Sequence, residues 1–267
     1  MEADLSDKVV LVTGASAGIG RAAALLLARC GARLALAGRD ERSLRAAADS
    51  CARAAGRAAL ALPADLACDR GCRLVAAKTI EHFGRLDVLV NNAAITARCT
   101  IQTTDMETFD RVFAVNIRGV YNLTRLLVPE LIKSRGNIIN VSSIVGSTVS
   151  IGQLPYAMAK AALDYFSRLI AVELAPFGVR VNTVSPGITV SKMVQRVTNY
   201  TDEQYQEFLK EAATTIPLGE VCVGEDIAKM IVHLASDNSR LVTGVNVQVD
   251  GGLQYTNDHR LIKKQVQ

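Results

Sequence analysis

The sequence predicts an α/β fold in which a doubly wound, parallel sheet of seven strands carries helices on both faces. Short, nearly continuous apolar runs alternate with longer Ala- and Leu-rich stretches along the 267 residues. A strand covered on both faces reads as such a run, whereas a half-exposed strand alternates apolar with polar residues. The alternation never separates into a block of strands and a block of helices, which implies repeated βαβ units and hence parallel strands. A glycine-rich turn closes the first run, so a ligand is expected where that strand ends.

Lys8 to Thr13 (Lys-Val-Val-Leu-Val-Thr) is the first predicted strand, stopped by Gly14, and a helix follows over Gly18 to Cys30. Arg33 to Ala37 is the second strand, Glu41 to Ala55 a helix, Ala58 to Pro63 the third strand and Cys68 to Phe83 a helix. Val88 to Asn91 is the fourth strand, ahead of one long helical stretch from Thr104 to Leu131. Asn137 to Ser142 makes the fifth strand, Tyr156 to Ala175 a helix and Val179 to Ser185 the sixth strand. A polar, Thr-rich segment at 189–217 and a helix near Asp226 to Ser236 precede the seventh strand, Val245 to Asp250. No repeat, low-complexity tract or linker divides the chain, so 1–267 reads as one domain, as α/β chains of about 250 residues often are. Ligands of such sheets bind outside the carboxyl ends of the strands, near the switch in strand order.

Composition excludes several classes of function. The net charge of +4 comes from 30 basic and 26 acidic residues spread along the chain, without the concentrated basic face of a nucleic-acid binder. The one local excess, Arg260, Lys263 and Lys264, reads as a solvated tail before it reads as a partner-binding patch. Six cysteines at irregular spacing in a long chain imply reduced thiols, and Cys68 and Cys72 lack the second ligand pair of a zinc site, so no metal is expected. The polar start Met1 to Lys8, and the absence of an apolar run of roughly 20 residues, predict a soluble, cytoplasmic protein with no membrane contact.

The turn Thr13-Gly14-Ala-Ser16-Ala17-Gly18-Ile19-Gly20 spaces its glycines G-x-x-x-G-x-G at the start of a helix. Glycines leave room for a pyrophosphate, and a helix N-terminus offers it free N–H groups and partial positive charge. A plain tight turn is the alternative for three glycines alone; the position between a buried strand and an Ala-rich helix favours a dinucleotide site.

This spacing departs from G-x-G-x-x-G and resembles the short-chain dehydrogenase/reductase family, including its 3-oxoacyl-[acyl-carrier-protein] reductase-like and carbonyl reductase-like members. The likeness covers nearly the whole chain, since Asp65, Asn91-Asn92-Ala93, Asn116, Ser143, Tyr156 to Lys160, Pro186-Gly187 and Asp250-Gly251-Gly252 recur in the family's order. It implies a Rossmann-type fold and a nicotinamide dinucleotide held by Gly14, Ser16, Ala17, Gly18, Ile19 and Gly20. It also implies that Asp65 and Leu66 lie at the adenine, that Asn92 and Ala93 support the adenosine, and that Pro186, Gly187, Thr189 and Ser191 lie along the nicotinamide. The family's N-N-A-G reads here with Ala94 in the last place, which would be strained if that position needs positive φ.

Cofactor choice is read where the second strand ends. A carboxylate there holds a ribose 2′-OH, and a basic group receives a 2′-phosphate. Gly38 stands at that point and Arg39 follows, which favours NADP(H) over NAD(H); the rival features are Asp40 just beyond and a merely solvated Arg39.

Tyr156-Ala-Met-Ala-Lys160 puts a phenol and an ammonium at i and i+4, on one face of a helix. A free tyrosine has a pKa near 10, and a neighbouring cation lowers it. By itself this spacing is as well explained by an amphipathic helix with a snorkelling lysine. Ser143, directly after the fifth strand, points into the same crevice; its rival Ser142 faces the other way along an extended segment. The family resemblance makes Tyr156 the acid/base, with Ser143 holding the carbonyl oxygen and Lys160 gripping the nicotinamide ribose. In that scheme Asn116, at a helix kink, helps hold a water, and hydride passes from the cofactor to the carbonyl carbon. A hydrogen-bonded core asparagine is the alternative for Asn116.

Segment 189–217 resembles the family's substrate lid, with Met193, Val194, Val197, Tyr200, Tyr205 and Phe208 as a candidate apolar wall facing Ile95, Val145, Ile151 and Leu154. A hydrophobic ketone or 3-oxoacyl substrate follows, with a homotetramer implied by the family and a C-terminal tail at 253–267. A non-catalytic NADP(H)-binding sensor or scaffold, and an NAD-dependent alcohol or steroid dehydrogenase, are the competing readings.

Overall fold

Val9–Thr13 (β1) is buried at every position, as its apolar run requires. In the computed structural model, which describes residues 3–256, β1 lies between Arg33–Gly38 (β2) and Val88–Asn91 (β4). Leu60–Pro63 (β3) extends the sheet beyond β2, and Asn137–Val141 (β5), Arg180–Pro186 (β6) and Asn246–Val249 (β7) extend it beyond β4. All seven strands pair in parallel, in the order β3-β2-β1-β4-β5-β6-β7. This is the predicted doubly wound arrangement, and the order reverses between β1 and β4.

Helices cover both faces. Gly18–Arg29 (α1), Glu41–Ala55 (α2) and Gly224–Ala235 (α9) lie on one side, where Leu27, Leu44 and Ile231 pack on Val12, Leu36 and Val90. Asp69–Phe83 (α3), Val120–Ser134 (α5) and Leu154–Leu174 (α6) cover the other, where Val75, Leu127 and Leu174 pack on Leu11, Leu89 and Ile138. Each such side chain withdrawn from water contributes on the order of 1.5–3 kcal/mol. No helix among the described residues is long and apolar enough to cross a membrane.

The structure departs from the sequence reading in several places, among them β3, which starts at Leu60 and not Ala58, and α9, which starts at Gly224 and not Asp226. The single stretch predicted from Thr104 to Leu131 is Met106–Phe113 (α4), a π-helical turn over Ala114–Gly119, and α5, which runs on to Ser134. The segment 189–217 is not merely polar: it contains Lys192–Thr198 (α7) and Asp202–Ala213 (α8). Thr201 caps α8 reciprocally with Gln204, each backbone N–H donating to the other's side-chain oxygen. Finally, α6 begins two residues before Tyr156, because Pro155 fits the first turn of a helix, where its missing N–H costs nothing. Of the tail, Leu253–Tyr255 forms a short 3₁₀ turn, while Arg260, Lys263 and Lys264 lie outside the described residues.

Leu89, at the centre of the sheet, has no exposed surface. Leu89→Ala is expected to destabilise the fold by about 2–5 kcal/mol, read as a lower urea midpoint at unchanged slope; an unshifted midpoint would contradict the packing described.

Candidate active site

The chain leaves β1 through a turn fastened to the neighbouring strand end. The Thr13 hydroxyl donates to the Val90 carbonyl at 3.2 Å and accepts from the backbone N–H groups of Asn92 at 2.9 Å and Ala93 at 3.0 Å. Asn92 returns its side-chain amide to the Thr13 carbonyl at 2.9 Å. Asn91 faces away and is buried, donating to Thr124 and Asn140. Ala94 keeps a negative φ, so the methyl that replaces the family's glycine brings no strain.

Beyond this junction a cleft of about 880 Å³ runs along the carboxyl ends of the strands. Gly14, Ser16, Ala17, Gly18 and Ile19 line one end of it. Gly18 has φ +53°, and the place of its missing Cβ is open, with Ser191 Cβ 3.7 Å away. Gly20 is needed for another reason: a Cβ there would stand 2.4 Å from the Gly14 carbonyl oxygen. Ala17 precedes α1 without any side-chain cap, so the first-turn N–H groups are available to an anion. This donor set, open at Gly18, fits a dinucleotide pyrophosphate.

Arg39, Asp65 and Leu66 line the same end. The rival residue Asp40 is engaged elsewhere, since its two carboxylate oxygens accept from the Ser43 amide at 3.0 Å and the Ser43 hydroxyl at 2.7 Å as the cap of α2. Asp65 is held by the Ala67 amide at 3.0 Å and by Arg111 at 2.7 Å. Burial pushes its carboxyl up, but these partners and the charge of Arg39 outweigh that and hold it below its ordinary value.

Ser143, Tyr156 and Lys160 meet near the other end of the cleft. Ser143 follows β5 and lines the cleft together with the Tyr156 phenol, on whose ionisation it acts. Ser142 also borders the cleft but is buried, and its hydroxyl donates to the Lys160 carbonyl at 3.3 Å. The Lys160 ammonium donates to the Val141 carbonyl at 2.7 Å and stands 5.5 Å from the centre of the Tyr156 ring. Asn116 sits in the π turn, as the expected kink requires, but its amide is spent on Ile95: it accepts from the Ile95 N–H at 2.9 Å and donates to the Ile95 carbonyl at 2.8 Å.

Burial moves the two ionisable groups in opposite directions. It pushes the Tyr156 phenol up to about 12, with the Ser143 hydrogen bond opposing, and pushes Lys160 down to about 8, with the charge of Asp164 opposing. The net lowering of the phenol by Lys160 that the sequence suggested does not occur; desolvation of the phenolate sets the direction. At neutral pH the phenol is a proton donor.

At the end of β6, Pro186, Gly187, Thr189 and Ser191 border the cleft. The Thr189 hydroxyl turns back to the Gly187 carbonyl at 3.1 Å. Ser191 caps α7, and its peptide is clasped by Tyr205, whose hydroxyl accepts from the Ser191 N–H and donates to the Ser191 carbonyl, both at 2.9 Å. Tyr205 is thus a buried anchor of the lid and not part of the cleft wall, which Met193, Val194, Val197, Tyr200 and Phe208 supply opposite Ile95 and Val145. Ile151 and Leu154, expected there, are not among the lining residues, and Ile151 faces outward. Sequence reasoning also missed Thr13 and Arg111 as braces; the threonine that opens the glycine motif was the available signal.

Residues 14–254 match the family model described as enoyl-(acyl carrier protein) reductase. The 3-oxoacyl-[acyl-carrier-protein] reductase of Thermotoga maritima is 39% identical over 253 residues, covering 93% of this chain and 98% of that protein. Among solved structures, a short-chain type dehydrogenase/reductase from Mycobacterium marinum superposes with a TM-score of 0.87 at 31% identity, covering 95% of this chain and 98% of that one. A 3-ketoacyl-(acyl-carrier-protein) reductase from Brucella melitensis, solved with NADH, gives 0.86 at 29% identity, covering 94% and 100%.

The close approach at Gly20 makes a direct test. Gly20→Ala must displace the Gly14 carbonyl, so it is expected to weaken dinucleotide binding at least about tenfold, on the order of 1.4 kcal/mol, while circular dichroism shows a folded chain. Unaltered affinity in a fluorescence titration would mean that the turn does not hold the ligand.

Proposed function

The chain belongs to the short-chain dehydrogenase/reductase family, and from that premise we propose that it uses NADP(H) to reduce a hydrophobic ketone or 3-oxoacyl substrate to a secondary alcohol. The observation that carries this reading is the meeting of Ser143, Tyr156 and Lys160 at the cleft, with the Lys160 ammonium 5.5 Å from the centre of the phenol ring. Two hydroxyls lining one cleft suit one carbonyl oxygen. When bound, the dinucleotide supplies the hydride.

The chain's own groups handle the oxygen and its proton. Ser143 donates a hydrogen bond to the substrate oxygen, and Tyr156, protonated at neutral pH, passes its proton to that oxygen as negative charge develops there. The phenolate left behind is buried, and Lys160 is the cation close enough to stabilise it. Asn116 has a supporting role: it fixes Ile95, one wall of the substrate space, through both of its amide groups.

The preference for NADP(H) rests on Arg39, exposed just beyond β2 and free of a competing ribose carboxylate because Asp40 serves Ser43. Ser16 lies beside Gly38, its hydroxyl 3.4 Å from where a Cβ would be, and adds a second donor for a 2′-phosphate. The neighbour solved with NADH shows that this fold also accepts the unphosphorylated form in that protein. The apolar lid, with Met193, Val197 and Phe208 over the cleft, favours an acyl chain or hydrophobic ketone over a sugar. The relative from Thermotoga maritima, named for a 3-oxoacyl thioester, is consistent with that class. Tyr121, Tyr165, Leu169 and Val172 form an exposed apolar face on α5 and α6, which supports self-association as a homotetramer.

Tyr156→Phe is expected to remain folded and to bind NADPH but to lose about 10²–10⁴-fold in turnover, followed by NADPH absorbance against ketones, diketones and a 3-oxoacyl thioester. Full activity in that variant would refute the mechanism. Arg39→Ala should raise the KM for NADPH by at least about tenfold, the loss of about one charge-assisted contact, with little change for NADH; equal effects on both would overturn the cofactor assignment. Light scattering of the purified chain should give four times the monomer mass, and a monomer would exclude the assembly.

A further inference from the structure

The lid over the substrate space stands apart from the packed layers. Helix α8 buries Tyr205, Leu209 and Ala212, and among the described residues none of the three joins either core that covers the sheet. Helix α7 is seven residues long, too short to hold its shape alone. The strand end before it is sewn down: the Cys222 N–H donates to the Ile188 carbonyl at 3.0 Å, and the Val190 N–H donates to the Cys222 carbonyl at 2.8 Å. Ser191 comes next, and its peptide groups turn to α8 instead. Its N–H donates to the Tyr205 hydroxyl and its carbonyl accepts from that same hydroxyl, both at 2.9 Å.

Ser191 also faces the turn that opens α1. Its Cβ lies 3.7 Å from the point where a Cβ on Gly18 would stand, and both residues line the cleft. A dinucleotide seated at Gly14 to Ile19 thus has Ser191 beside it. On the far side of the clasp the Tyr205 ring stacks on Phe208, with centroids 6.3 Å apart, and Phe208 in turn lies 6.2 Å from the Tyr200 ring. Phe208 and Tyr200 line the cleft, whereas Tyr205 is buried behind them. Gly18, Ser191, Tyr205 and Phe208 stand in series, from the cofactor end of the cleft to the wall of the substrate space. The link at the centre is a single hydroxyl.

We propose that Tyr205 is a positioning residue: by holding the Ser191 peptide it makes the order of α8, and with it the wall that Phe208 supplies, depend on whether the dinucleotide is bound. The proposal rests on the reading of the glycine turn as the dinucleotide site. A ligand that restrains Ser191 restrains the hydroxyl bonded to it at two points, and the stacked ring carries that restraint into α8. A helix with so little share in the core opens readily, so one added restraint changes its opening markedly. Coupling of this kind is reciprocal, and an ordered α8 holds the dinucleotide more tightly in return. Without the hydroxyl, the Ser191 N–H and carbonyl both lose their partner and the two ends of the cleft part company.

The test is hydrogen–deuterium exchange of the α8 amides, residues 202–213, in the full-length protein, with and without NADPH at a concentration that a fluorescence titration shows to be saturating. Binding is expected to slow α8 exchange at least about fivefold in the unaltered chain and less than about twofold in Tyr205→Phe, which keeps the ring on Phe208 and loses both bonds. A merely structural role would speed α8 exchange alike with and without NADPH, and a ratio equal to that of the unaltered chain overturns the proposal. So does a ratio near one in the unaltered chain. If Tyr205→Phe does not fold, Phe208→Leu breaks the same series one step further on and must lower the ratio likewise; an unlowered ratio there overturns the proposal. If NADH binds and NADPH does not, the cofactor preference falls and the exchange is measured with NADH. A bound dinucleotide that leaves α8 unchanged defeats this proposal alone, whereas a chain that binds neither dinucleotide defeats both readings.

Discussion

One hydroxyl holds the two halves of the sheet together at the point where a ligand can enter. Thr13 uses its whole hydrogen-bonding capacity there, one donor and two acceptors, to bind the end of β1 to the end of β4 and the loop that follows. Strand order reverses between these strands, so the crossovers on either side depart in opposite directions and leave a crevice. The glycine turn forms one lip of it and the Asn92 loop the other. A displaced Thr13 would move both at once.

The catalytic end depends on burial more than on attraction. Tyr156 and Lys160 lie on one helix face and share a dry setting, and that setting moves each toward its neutral form. A protonated phenol suits proton donation, and a lysine lowered to about 8 is still an ammonium at neutral pH. The mutual position of α6, the turn after Ser143 and the polar groups at the end of β5 is therefore an electrostatic matter as well as one of packing.

Much of this was legible in the sequence, for identifiable reasons. Strands buried on both faces announce themselves as apolar runs, and α2 matched to the residue because Asp40 caps its start and Gly56 closes it in a left-handed conformation. The glycine turn, Ser143, Tyr156 and Lys160 fell where spacing placed them. The π turn was hidden because one extra residue per turn scarcely disturbs an apolar pattern. The lid helices were hidden by their length and polarity, although Thr201 and Gln204 spell out a helix start.

The clasp of Tyr205 on the Ser191 peptide bears on how such a chain can change. It fixes the residue where the wall of the substrate space departs from the strand end, with two opposed bonds to one peptide group. Side chains beyond that knot, such as Val194 and Val197, are separated by it from the end of the cleft that holds Ser143, Tyr156 and Lys160. On the proposed reading, variation in the cleft wall and constancy of the Ser143–Tyr156–Lys160 cluster fall to separate stretches of sequence, divided at a single tyrosine.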